Sequence, residues 1–195
     1  MRLILLAGFL GSGKTTILLP MAGALIEQSS KVVIIENEMG EIGIDGSYLA
    51  REGLQVQELF GGCICCTLSV GLVESIDKIE GLYHPEVIVV EATGIARPGD
   101  LKKTIFQYNK CIEKIDTVTV VDAQRYEVLR HALAPLFEAQ IDAADIVVLN
   151  KIDTIDGQAV RDISTDIGLI NPDAKLHTVS MDESSGFEAL LRDVL

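Results

Sequence analysis

Five short runs of branched apolar residues recur along the chain: RLILLA, KVVIIE, EVIVVE, DTVTVVD and DIVVLN. None alternates apolar with polar positions, so each predicts a strand buried on both faces, as in a parallel sheet covered by helices. Between them lie segments with apolar residues at helical spacing. One starts at Lys14 and continues through TTILLPMAGALIEQ, where Pro20 predicts a bend or an interruption. Others are LSVGLVESIDKIEGL, DLKKTIFQY, AQRYEVLRHAL and AVRDISTDIGLI, and GFEALLRDVL closes the chain as a last helix. Two weaker strands, LQVQELF and KLHTVS, complete the series. Repeated β-then-α units predict an α/β fold of three layers, with a mostly parallel central sheet flanked by helices. There is no internal repeat, low-complexity tract or linker, so the sequence reads as a single domain over residues 1–195.

Four of the buried runs end on a polar side chain: Glu36, Glu91, Asp122 and Asn150. Open α/β sheets bind ligands in the crevice beyond the carboxyl ends of their strands, which makes these four positions candidates for a site. For Asp122 alone, a strand that simply stops at a polar residue accounts for the sequence equally well.

The first of the strands leads into GFLGSGKT, Gly8 to Thr15, which satisfies the phosphate-loop pattern G-x-x-x-x-G-K-[ST] between a predicted strand and a predicted helix. Gly11 and Gly13 let the backbone wrap a phosphate with its N–H groups inward, through Ser12 and on to Thr15 and Thr16 at the helix N-terminus. Lys14 is placed to meet the β and γ phosphates, and Thr15 to ligate Mg²⁺. These residues predict a P-loop nucleoside triphosphate site. NKID, Asn150 to Asp153, predicts the base. A carboxylate at Asp153 accepts the N1–H and exocyclic N–H of guanine, whereas adenine would leave it unpaired. Asn150 can reach the base edge and the stem of Lys151 can cover the ring. Ser180 and Met181, after the last strand, are expected beside the same base. GTP is therefore expected over ATP.

The charge and cysteine content narrow the remaining choices. The net charge of −13 argues against a phosphate-backbone partner, so no nucleic acid is expected. No stretch approaches the roughly 20 apolar residues of a membrane span, and the opening apolar run lacks a small-residue cleavage site. A cytoplasmic location with reduced thiols follows. Three of the four cysteines crowd into GGCICC, where Cys63, Cys65 and Cys66 cannot easily pair as disulfides. Two or three thiolates suit Zn²⁺, Cu(I), Co²⁺ or Ni²⁺, and three protein ligands leave a tetrahedral site open, as a releasable ion requires. Inert core cysteines or a redox loop are the alternatives, although C-x-C-C is not the C-x-x-C dithiol pattern. Cys111 reads as packing, and His84, His131 and His177 as structural. A nucleotide kinase is disfavoured, since neither a lid nor a basic acceptor cluster is visible.

Taken together, GFLGSGKTT, ENEMGEIGID, GGCICC, EATGIARP and NKID resemble, in order, the motifs of the CobW-type metal-chaperone GTPases. These are relatives of the HypB, UreG and MeaB GTPases, and the similarity spans essentially the whole chain. The resemblance implies that Glu36 and Glu41 belong to a switch segment and can lend oxygens to the thiolate-bound metal. It places Glu91 with Thr15 at Mg²⁺ and Gly94 at the γ-phosphate, and makes Lys14, Glu41 and Glu91 the catalytic set. It implies GTP, Mg²⁺ and Zn²⁺ (or Co²⁺ or Ni²⁺) as ligands, a client metalloenzyme as partner, and a homodimer that pairs on binding GTP. Family members continue into a C-terminal CobW domain, which this sequence is expected to lack, and Arg97 replaces their more usual acidic or amide residue. The runner-up is a regulatory GTPase that gates cobalamin or nickel loading of an enzyme without carrying metal itself.

Overall fold

The computed structural model describes residues 1–28, 31–36, 55–58, 68–180 and 184–195. The chain runs β1 (Arg2–Ala7), α1 (Lys14–Gln28), β2 (Val32–Glu36), β3 (Gln55–Glu58), α2 (Leu68–Tyr83), β4 (Val87–Glu91) and α3 (Pro98–Tyr108). It continues through β5 (Lys114–Asp122), α4 (Tyr126–Ala132), α5 (Ala134–Asp142), β6 (Ile146–Asn150), α6 (Gly157–Ile170), β7 (Lys175–Val179) and α7 (Ser184–Val194). The described strands form one seven-stranded sheet in the order β3-β2-β4-β1-β5-β6-β7, and every neighbouring pair is parallel.

Pleating sorts the apolar runs between two layers of helix. Ile4 and Leu6 of β1 face a cluster with Ile17, Leu18 and Met21 of α1 and Leu190 and Val194 of α7. Leu3 and Leu5 point the other way, to Ile76 and Ile79 of α2 and Ile105 of α3. On that second face, Val121, Val147 and Leu149 pack with Tyr126 of α4, Phe137 and Ile141 of α5, and Ile163 and Ile167 of α6. Both faces of the central strands are therefore dry, which is why the runs carry no alternation.

Two local expectations are corrected. Of the bend or interruption expected at Pro20, the interruption is absent: α1 runs unbroken to Gln28. Its buried stripe of Ile17, Leu18, Met21, Ala22 and Leu25 outweighs the backbone hydrogen bond that proline cannot donate. Cys111 is exposed and does not pack in the core. The three histidines do have structural partners: His84 with Glu80, His131 with Glu127, and His177 with Asp193. Helix α4 is braced on α6, where the Tyr126 hydroxyl donates to Asp166 at 2.6 Å. Burial, reinforced by that carboxylate, pushes the Tyr126 phenol well above its ordinary range.

Strand register brings the polar strand ends to one edge. Glu36 stands opposite Glu91, and Asp122 opposite Asn150. The phosphate loop leaves β1 between them, because β1 lies between β4 and β5.

Candidate nucleotide site

The loop from Gly8 to Gly13 depends on two glycines, each with positive φ and without room for a side chain. Gly8 has φ of 136°, and a Cβ there would stand 2.2 Å from the Val120 carbonyl oxygen of the neighbouring strand. Gly13 has φ of 97°, and a Cβ would stand 2.3 Å from the Asn150 side-chain nitrogen. At Gly8 the obstacle is backbone of the central strand, which cannot yield. Gly8→Ala is accordingly expected to destabilise the protein by about 3 kcal/mol, combining left-handed strain with overpacking. Chemical denaturation would check this, and an unchanged midpoint would contradict it.

At the base of the loop, Lys14 is buried, and its Nζ donates to the carbonyls of Gly8 at 3.1 Å and Phe9 at 3.3 Å. The same ammonium lies 4.0 Å from Glu91 Oε1, and the Thr15 hydroxyl donates to the Glu91 carboxylate at 3.3 Å. Glu91, at the end of β4, is 4% exposed, so it brings a desolvated negative charge beneath the loop. Thr16 points outward.

The NKID segment is fastened to the same loop. The Asn150 amide donates to the Ser12 carbonyl at 2.9 Å, joining positions 138 residues apart. The structure therefore gives this amide a bracing bond to the loop. Asn150 Oδ1 and Ser12 Oγ are buried without a hydrogen-bond partner among the described residues. Lys151 adopts φ of 62° and donates to the Gly11 carbonyl at 2.6 Å and to Asp122 Oδ2 at 2.7 Å. The other Asp122 oxygen accepts the backbone N–H groups of Gln124 and Arg125, and the Arg125 guanidinium donates to the Leu10 carbonyl at 2.8 Å. A buried carboxylate at the end of β5 thus organises Lys151 and the turn that carries Arg125. Sequence reasoning gave Asp122 only even weight and missed Arg125, since neither belongs to a motif.

Asp153 sits in the short turn of 3₁₀ helix Ile152–Thr154, exposed and without a hydrogen bond among the described residues. Ser180 follows Val179, which is in register with Asn150, and is buried. Gly94 packs on the phosphate loop so closely that a Cβ would stand 2.6 Å from the Leu10 nitrogen. Arg97 is exposed at the N-terminus of α3. Glu41, Cys63, Cys65, Cys66 and Met181 lie outside the described residues, and Glu36 is described by its backbone alone. Among the described residues no group of histidine, cysteine and carboxylate side chains could hold a metal ion. No described helix is long and apolar enough to cross a membrane.

The nucleotide-binding domain family of CobW, HypB and UreG matches residues 2–178. The chain belongs to that family. Among curated relatives, the zinc chaperone YeiR of Escherichia coli (strain K12) is 33% identical over 154 residues, covering 78% of this chain and 47% of that protein. The zinc chaperone YjiA of the same organism is 30% identical over 186 residues, covering 90% and 56% respectively. The chain spans about half the length of the curated relatives it matches. A crystal structure of Zn(II)-bound YjiA GTPase from E. coli superposes with a TM-score of 0.64 at 27% identity, over 92% of this chain and 57% of that one. The hydrogenase maturation factor HypB from Archaeoglobus fulgidus shares the fold, with a TM-score of 0.73 at 18% identity over 100% of this chain and 88% of that one.

Proposed function

We infer that this chain works as a GTP-hydrolysing metallochaperone. The observation that carries the nucleotide half is the fastening of Asn150 and Lys151 to the carbonyls of Ser12 and Gly11, with Asp153 exposed three residues beyond Asn150. A base read by Asp153 would sit at a fixed distance from phosphates held by Gly11, Ser12, Gly13, Lys14, Thr15 and Thr16. The Thr15 hydroxyl and the buried Glu91 carboxylate, already within 3.3 Å, fit Mg²⁺ as hard oxygen donors. Thr15 and Glu91 would hold magnesium there, and it would supply neutralisation of the phosphate charge. Lys14 neutralises the transferring phosphoryl group, Gly94 approaches its outer oxygens, and Glu41 completes the catalytic set with Lys14 and Glu91. Ser180 and Met181 flank the guanine.

The cargo half rests on the sequence and on the relatives named zinc chaperones. Cys63, Cys65 and Cys66, with Glu36 and Glu41, hold a thiophilic ion, Zn²⁺ or else Co²⁺ or Ni²⁺, for a client metalloenzyme. Two chains pair in the GTP state, in the cytoplasm, without nucleic acid or membrane.

The test is base choice. Asp153→Asn should cost GTP affinity about 1–3 kcal/mol by leaving the guanine N–H donors unmatched, and should move preference toward xanthine nucleotides. Fluorescent-nucleotide titration reads both effects. Equal affinity of the parent protein for ATP and GTP would remove the GTPase reading.

A further inference from the structure

Helix α5 carries a fully buried amide that no motif announces. Gln140 is 1% exposed, and its Nε2 donates to two carbonyls of the segment after β4: Gly94 at 3.1 Å and Ala96 at 2.9 Å. Both side-chain N–H groups are thereby committed to one short loop. The Gln140 main chain is fixed as well, because its carbonyl accepts the Thr119 hydroxyl at 2.9 Å. Its neighbours Phe137 and Ile141 are locked in the core. A rigid strand, through a rigid helix, thus grips a loop that otherwise holds itself by one internal bond, from the Ala96 N–H to the Thr93 carbonyl.

The gripped loop is the one that meets the phosphate loop, since Gly94 lies against Leu10. A glycine peptide turns over easily, because no Cβ restricts it. Fixing the Gly94 and Ala96 carbonyls removes that freedom and holds the Gly94 backbone against Leu10 of the phosphate loop. Within the GTP reading above, on which this inference depends, we propose that Gln140 is a positioning residue that preorganises the Gly94 loop for the γ-phosphate and so sets the preference for GTP over GDP. A diphosphate ends short of the loop and gains nothing from its order. A triphosphate binds a loop whose ordering cost has already been met by the fold.

Gln140→Leu removes both donors at similar volume, and Gln140→Glu keeps the length but offers an acceptor facing two carbonyls. For the loss of two ordinary hydrogen bonds, each variant should weaken binding of a non-hydrolysable GTP analogue about ten-fold while GDP changes by less than about two-fold. A role confined to stability would instead lower the melting temperature and leave the ratio of the two affinities unchanged, which would overturn the proposal. Parent protein that binds neither guanine nucleotide would overturn the GTP reading and this inference together. A parent with a clear GTP preference and variants with that preference intact would sink only the role of Gln140. Should neither variant fold, hydrogen exchange on the parent decides. Amides of residues 93–97 should already be protected in the GDP state, alongside those of residues 139–142. A loop that exchanges freely with GDP and becomes protected only with the GTP analogue would refute preorganisation by Gln140.

Discussion

Replacing Lys14 with alanine is expected to lower GTP turnover about a thousandfold, roughly 4 kcal/mol of transition-state stabilisation. The magnitude follows from where the ammonium sits. It is buried at the base of the loop, resting on the Gly8 and Phe9 carbonyls and 4.0 Å from Glu91. An arriving phosphate would draw the ammonium from those long carbonyl contacts into a charge-assisted bond, at low local dielectric. Without it, the polyphosphate above a buried carboxylate would lose one of its cationic partners, and the loss would be greatest as charge shifts during transfer. Phosphate release under saturating GTP measures the effect, with thermal melting to verify folding. Normal hydrolysis by the variant would end the phosphate-loop assignment.

The second large effect concerns the metal. Cys65→Ser/Cys66→Ser should reduce Zn²⁺ affinity by at least about a hundredfold, since loss of even an outer-shell partner of a metal site costs up to that much. Hydroxyls replace soft thiolates, and too few strong donors remain to compete with water. If nucleotide state moves Glu36 and Glu41 against the thiolates, zinc and GTP must also alter each other's affinity by one common factor, typically worth about 1–3 kcal/mol. Competition titrations with a zinc indicator, run with the GTP analogue and with GDP, should show a several-fold difference that the double variant erases. Unchanged zinc retention by the variant would remove the cysteines from the site. GTP hydrolysis with no zinc retained by the parent would favour the gating alternative.

How much of this the sequence discloses depends on how local each determinant is. Buried strands are legible because Val, Ile and Leu runs such as EVIVVE state their burial directly. The phosphate loop and NKID are legible because their residues lie side by side. Helix α5 is not, since APLFEAQID is only nine residues long and has a weak apolar stripe; Pro135 at its first turn is the one signal that could have found it. Gln140 is silent for a deeper reason: its bonds to Gly94 and Ala96 exist only once α5 has packed beside the loop. The same holds for Asp122, whose partner Lys151 arrives from the next strand. Side chains that brace a site across strands leave no mark in their own neighbourhood of the sequence.

The position of β1 between β4 and β5 has a consequence for synthesis on the ribosome. The strand that launches the phosphate loop emerges before the other six described strands, yet Leu3 must wait for Ile88 on one side and Ile115 on the other. Helix α1 can form early, but the loop before it has no carbonyl of Val120 to rest against and no Asn150 to tie it. Such long-range pairings are slow to form. Nascent chains should therefore acquire nucleotide binding late and abruptly, only after β6 has been released, and shorter ones should expose β1 as an unpaired apolar edge that attracts chaperones.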